Sequence, residues 1–225
     1  MDNKFLSFML YVYFGNAGKN KKEMIEMAVK RAYRDFNRTI GFNDEYKNLS
    51  TDNTKTKNEK AGRRKGLVDK VTEMFIRNIK SLKTKSNQKE FDKWHKDRCN
   101  YISKIYKDKV GESFDNEKTL YYGQQQKWIN MTLKYLYVIY NLKGIDDLNE
   151  VYKYFHIPVD SVVLDNVENI EIPKDEKNKN KCWSKWNKEE YLNFQKEMRK
   201  NIKDKALLDW KFENWKPKNS SQDDE

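Results

Sequence analysis

Two residues of this 225-residue sequence carry most of its legible chemistry. Lys127 stands in the stretch GQQQKWINMTLKYL, and Asp160 in the phrase HIPVDSVVLD. An amine kept from water can lose its proton and attack an electrophilic carbon, and a fixed carboxylate can stabilise positive charge or accept a proton. Taken singly, each has an ordinary reading. Asp160 would be an N-cap, stabilising its helix by about 1 kcal/mol, and Lys127 an exposed lysine in a first turn.

The elements around them follow from apolar spacing. An apolar helix is expected from about Gln124 to Tyr140, with Lys127 in its first turn, followed by a weakly patterned segment from Ile145 to Tyr154. Pro158 keeps Ile157 out of a helix, so the chain should reach Asp160 extended; Val162, Val163 and Leu164 then open a new helix with Asp160 as its cap.

Further amphipathic helices are expected over Lys21 to Ile40, Leu67 to Leu82 and Lys89 to Lys107. After a surface segment from Glu168 to Lys181, a last long helix should start at Asn187 as N-cap, with a short one over Leu207 to Trp215. Gly41 to Lys60 reads as a polar loop, and the tail from Pro217 as disordered. The apolar run Phe5 to Phe14 is too short to span a bilayer and is expected to be a buried first segment.

Only eight Gly and three Pro argue against a turn-rich β architecture, so the chain should be all-α. With 37% hydrophobic and 14% aromatic residues it has the material for a core. The division expected is a basic lobe over 1–118, a second lobe over 119–216 and a tail over 217–225. The formal charge is +11, and Asp52 to Lys109 alone hold eighteen Lys/Arg against eight Asp/Glu. Such a surplus is the footprint of a polyanion partner, or else lysine-rich composition merely solvating helix faces.

Two cysteines form no disulfide framework, which points to a reduced, cytoplasmic protein. His95, Cys99, His156 and Cys182 lack the close spacing of a zinc site, so no metal or other cofactor is expected.

The stretch GQQQKWINMTLKYL followed by HIPVDSVVLD resembles the core of the helix-hairpin-helix base-excision DNA glycosylases. Its Gln126-Lys127 dipeptide and the distance to the Asp phrase look most like the archaeal-type 8-oxoguanine glycosylases. The resemblance implies a two-lobed all-α fold of that type. It makes Asp160 the catalytic aspartate and Lys127 the nucleophile of a bifunctional enzyme. Where the family's hairpin reads Leu-Pro-Gly-x-Gly, this chain has Tyr121-Tyr122-Gly123-Gln124.

A flipped base needs aromatic walls and polar readers. Tyr122, Gln124, Trp128, Trp183 and Trp186 are the candidates. Arg63, Arg64, Lys65, Gly123, His156, Lys181 and Lys185 are the candidates for holding the DNA backbone.

The expectation is a monomeric DNA glycosylase, with DNA as partner and no membrane. It would remove an oxidised purine or a bulky modified cytosine of phage DNA, in repair or antiviral defence. The rivals are a helical DNA-binding protein that keeps the fold without the chemistry, and a small helical interaction protein.

Overall fold

A computed structural model describes residues 3–15, 18–46, 54–111 and 118–215. The described residues are mostly helical. They contain no β-strand, only the isolated bridges Phe42–Val110 and Lys174–Asn180.

Three helices begin with the same short phrase, Asn-x-x-Glu. Asn20, Asn87 and Asn187 each accept the backbone N–H of the glutamate three residues on, which starts α2 (Lys21–Asn37), α4 (Gln88–Tyr106) and α8 (Lys188–Asn201). The asparagine oxygen satisfies a donor that the helix itself cannot. At Asn187 the glutamate also accepts the cap's own N–H, closing a capping box.

The central element is α5 (Tyr122–Leu142), whose residues are buried on nearly every side. It packs against α2, α4, α8 and a 3-10 turn at Trp183–Lys185. One continuous apolar core extends from Leu10 to Leu208, drawing on residues both before and after 118. The short helices α6 (Asn149–Tyr152) and α7 (Ser161–Asn166) flank the extended phrase, and α9 (Leu207–Asn214) closes the chain against α7.

Two expectations are corrected. Helix α3 (Thr54–Lys83) begins inside the stretch read as loop, because its lysine-rich start favours helix without an apolar stripe to announce it. Helix α1 (Asn3–Phe14) is not a buried segment. Leu10 faces the core at 2% exposure, whereas Phe8 and Val12 stand 62% exposed. A helix apolar all round at the surface can bury only the side it turns inward. Phe8→Ser should therefore shift the urea unfolding free energy by no more than about 0.5 kcal/mol. None of the described helices is long and apolar enough to cross a membrane. The tail over 217–225 lies outside the described residues.

Candidate active site

The extended phrase from Phe155 to Asp160 has no strand partner, so its backbone polar groups need other partners. Side chains from three helices supply them. Gln195 of α8 clamps Ile157 twice, accepting its N–H at 3.0 Å and donating to its carbonyl at 2.9 Å. Arg199 donates to the carbonyls of Tyr154 and Phe155. Lys211 of α9 donates to the carbonyl of Pro158 at 2.7 Å, and Lys127 of α5 to that of Val159 at 3.3 Å.

Asp160 thus arrives in a fixed place. One carboxylate oxygen caps α7, accepting the Val163 N–H at 2.9 Å. The other, Oδ2, accepts from Lys127 Nζ at 2.9 Å and from Lys211 Nζ at 2.8 Å. Side-chain exposure is 17% for Asp160, 6% for Lys127 and 2% for Lys211. Because α5 starts at Tyr122, Lys127 lies in its second turn rather than its first, which carries it inward onto Asp160.

A half-buried Lys134, seven residues further along α5, belongs to the same field. Burial would raise the Asp160 carboxyl, but Lys127 and Lys211 overcome that and hold it far below the usual carboxylate range. Burial, reinforced by Lys127, pushes Lys134 down to about 8 and Lys211 well below its ordinary value.

A group with a lowered folded value contributes stability above its unfolded value of about 3.9 and loses it as pH falls. Asp160→Asn should therefore cost about 3 kcal/mol at pH 7, by leaving buried amines without a counter-charge. In urea titrations the difference from wild type should narrow as pH falls below about 4, because the unfolded wild-type chain takes up a proton at Asp160 there while the folded carboxylate stays ionised.

A second polar chain, buried from His95 to His156 and reaching the surface at Asp92, braces the site from behind. Asn130 accepts from His95 Nε2 at 2.9 Å and donates to Gln126 and to the Tyr191 hydroxyl. Tyr191 meets His156 Nδ1 at 2.8 Å, and His156 Nε2 meets Asp92 at 2.8 Å. Burial lowers both histidines, with the neighbouring His156 adding to the effect on His95. Neutral rings fit this chain of partners.

His156 is therefore an interior brace, 2% exposed, and not a contact to DNA phosphate. Gly123 is also reassigned. Its N–H, expected to grip phosphate, donates to the Trp186 carbonyl at 2.9 Å.

The aromatic candidates separate. Trp128 is fully buried, stacked on Phe36 at 4.7 Å and donating to the Val29 carbonyl, and Trp186 is fully buried against Phe194. Tyr122 is 8% exposed, with its hydroxyl directed at His95. These three are core, because rings on the inward side of α5 and under the 3-10 turn have no route to a ligand. The half-buried Trp183 is the one placed at the site, its ring centroid 5.1 Å from Lys127 Nζ. Gln124 is engaged at the start of α5, accepting the Tyr121 N–H and donating to the Thr39 carbonyl.

Among the basic candidates, Arg63 pairs with Glu45, Lys65 with Asp69 and Lys181 with Glu190. Arg64 lies over the Phe42 ring and donates to the Tyr46 carbonyl, a packing role. Lys185 is exposed.

Lys211 escaped the sequence reading. Its signal was a lysine at the apolar spacing of Leu207 and Leu208 in a short helix, a place where a charged residue needs a partner. Compared with known proteins, the chain matches no family model, no curated protein and no solved structure.

Proposed function

We propose that this protein is a DNA glycosylase of the helix-hairpin-helix type, one that flips a damaged or modified base out of DNA and cleaves its N-glycosidic bond. The observation that supports this reading is the meeting of a buried Lys127 with a part-buried Asp160 at 2.9 Å. Departure of the base builds positive charge on the sugar, and an ionised Asp160 held by backbone and ammonium donors is a preorganised counter-charge for it.

The neutral amine of Lys127 attacks C1′ as the C1′–N bond breaks, with the electron pair leaving on the base. Opening of the sugar ring and loss of the second amine proton give a Schiff base, from which β-elimination cuts the strand. Trp183, whose ring lies by Lys127, would serve as the aromatic wall for an extruded base. The surplus of basic residues from Asp52 to Lys109 would hold the backbone of DNA, with the protein acting as a monomer in a reducing compartment. The substrate class is an oxidised purine or a bulky modified cytosine.

The test is a DNA panel carrying 8-oxoguanine, uracil, alkylated bases and glucosylated hydroxymethylcytosine, assayed for abasic sites and strand breaks. Abasic product from one of these substrates would establish the enzyme. Tight binding without product across the panel would instead favour the DNA-binding protein without chemistry.

A further inference from the structure

Two buried amines share one carboxylate oxygen, an arrangement that a nucleophile-and-aspartate pair does not need. Lys127 Nζ lies 2.9 Å and Lys211 Nζ 2.8 Å from Asp160 Oδ2. The remaining carboxylate oxygen is committed to the Val163 N–H. Lys211 comes from α9, well separated from α5 in sequence, and its second bond to the Pro158 carbonyl fixes the amine against the phrase that carries Asp160.

The charges that face Lys211 are Asp160, Lys127 and, from further along α5, Lys134. The carboxylates of its own helix are directed elsewhere, Asp209 to the Tyr152 hydroxyl and Glu213 to Lys205. One carboxylate therefore answers for Lys127 and Lys211, while Lys134 lies in the field of both Asp160 and Asp35.

An isolated lysine–aspartate pair has a chemical difficulty. Before Lys127 can attack, its ammonium must give up a proton, and if Asp160 keeps that proton the carboxylate needed by the sugar cation is lost. A second amine on the same oxygen removes the conflict.

We propose that Lys211 is a positioning residue that takes the Lys127 proton by way of Asp160 Oδ2, leaving Lys127 a neutral nucleophile and Asp160 still a carboxylate. The proton balance is closed within the three side chains. Lys127 ammonium, Asp160 carboxylate and Lys211 amine become Lys127 amine, Asp160 carboxylate and Lys211 ammonium. Burial lowers the proton affinity of Lys211 at rest, which leaves it the unprotonated partner on the shared oxygen. The inference rests on Lys127 being the nucleophile.

The readout is borohydride trapping of the full chain on DNA with a single abasic site, a substrate that does not depend on the base removed, followed as a rate against pH. Lys211→Met removes the acceptor with little change in shape. Its rising limb should move up by at least about one pH unit, lowering trapping at pH 7 by about tenfold or more, with recovery in alkali. Lys211→Arg carries a permanent charge that mimics the state after transfer, so its limb should stay or move down. Opposite responses of the two variants are the signature expected of a proton acceptor.

Thermal melts identify the folded variants. A folded Lys211→Met protein whose limb does not move, whether its amplitude is kept or lost, would overturn the inference while leaving Lys127 as nucleophile. Wild type that forms no trapped adduct would overturn Lys127 as nucleophile and this inference with it.

Discussion

Asp160→Asn should lower base release from the cognate DNA by about 10²–10³-fold in single-turnover measurements, the range found when a preorganised electrostatic group is removed from a transition state. Asparagine keeps the shape and can still cap α7 through its carbonyl oxygen, so the loss reports charge rather than geometry. Lys127→Gln should divide the reaction differently. It removes the amine that forms the Schiff base, so borohydride-trapped adduct and strand breaks should disappear entirely. Base release by water, activated by the remaining carboxylate, can persist at a reduced rate. If both variants release base at the wild-type rate, then Asp160 and Lys127 are a structural ion pair and the chemistry lies elsewhere. DNA binding should survive both changes, because the backbone grip depends on surface cations.

Gly123→Ala should be the most damaging of the glycine-to-alanine changes. A Cβ at that position would lie 1.9 Å from the Trp183 carbonyl oxygen and 3.0 Å from its carbon, both backbone atoms that cannot swing away like a side-chain tip. The backbone cannot retreat either, since the Gly123 N–H is bonded to the Trp186 carbonyl at 2.9 Å. Relief requires the 3-10 turn to lift from the start of α5, at a cost of about 3 kcal/mol. For a chain of this length that corresponds to a melting temperature lower by about 6–12 °C. Since Trp183 lies over Lys127, the same displacement should expose the amine and change the tryptophan emission. A melting temperature within a degree of wild type would show that the contact is not held in solution. Gly123 is thus a glycine of close approach and not one of unusual backbone angle.

The interior braces imply a graded sensitivity around the site. Gln195 holds Ile157 by two hydrogen bonds, so its loss would leave a buried N–H unpaired one residue before Pro158, and the carbonyl with only the longer bond from Asn130 at 3.5 Å. Lys211 and Lys127 hold the next two carbonyls, so the position of Asp160 depends on α5, α8 and α9 together. Its precision comes from side chains satisfying an extended segment, a service that a neighbouring strand would perform in a sheet.

The sequence by itself determined the helical class, the apolar faces of α2, α4 and α8, the extended approach through Pro158 and the cap at Asp160, because these depend on spacing and on local backbone sterics. It also singled out Lys127 and Asp160, whose types speak for themselves. Only the tertiary structure decided which partners these residues meet. Lys211 lies 51 positions from Asp160, and no local pattern links a lysine in a short last helix to a carboxylate in an extended phrase. The rings of Trp128 and Trp186 are buried while Trp183 lies by the amine, and α1 is exposed although it is as apolar as a core helix. Composition and period state what a segment can bury; they do not state which side of it the rest of the chain will cover.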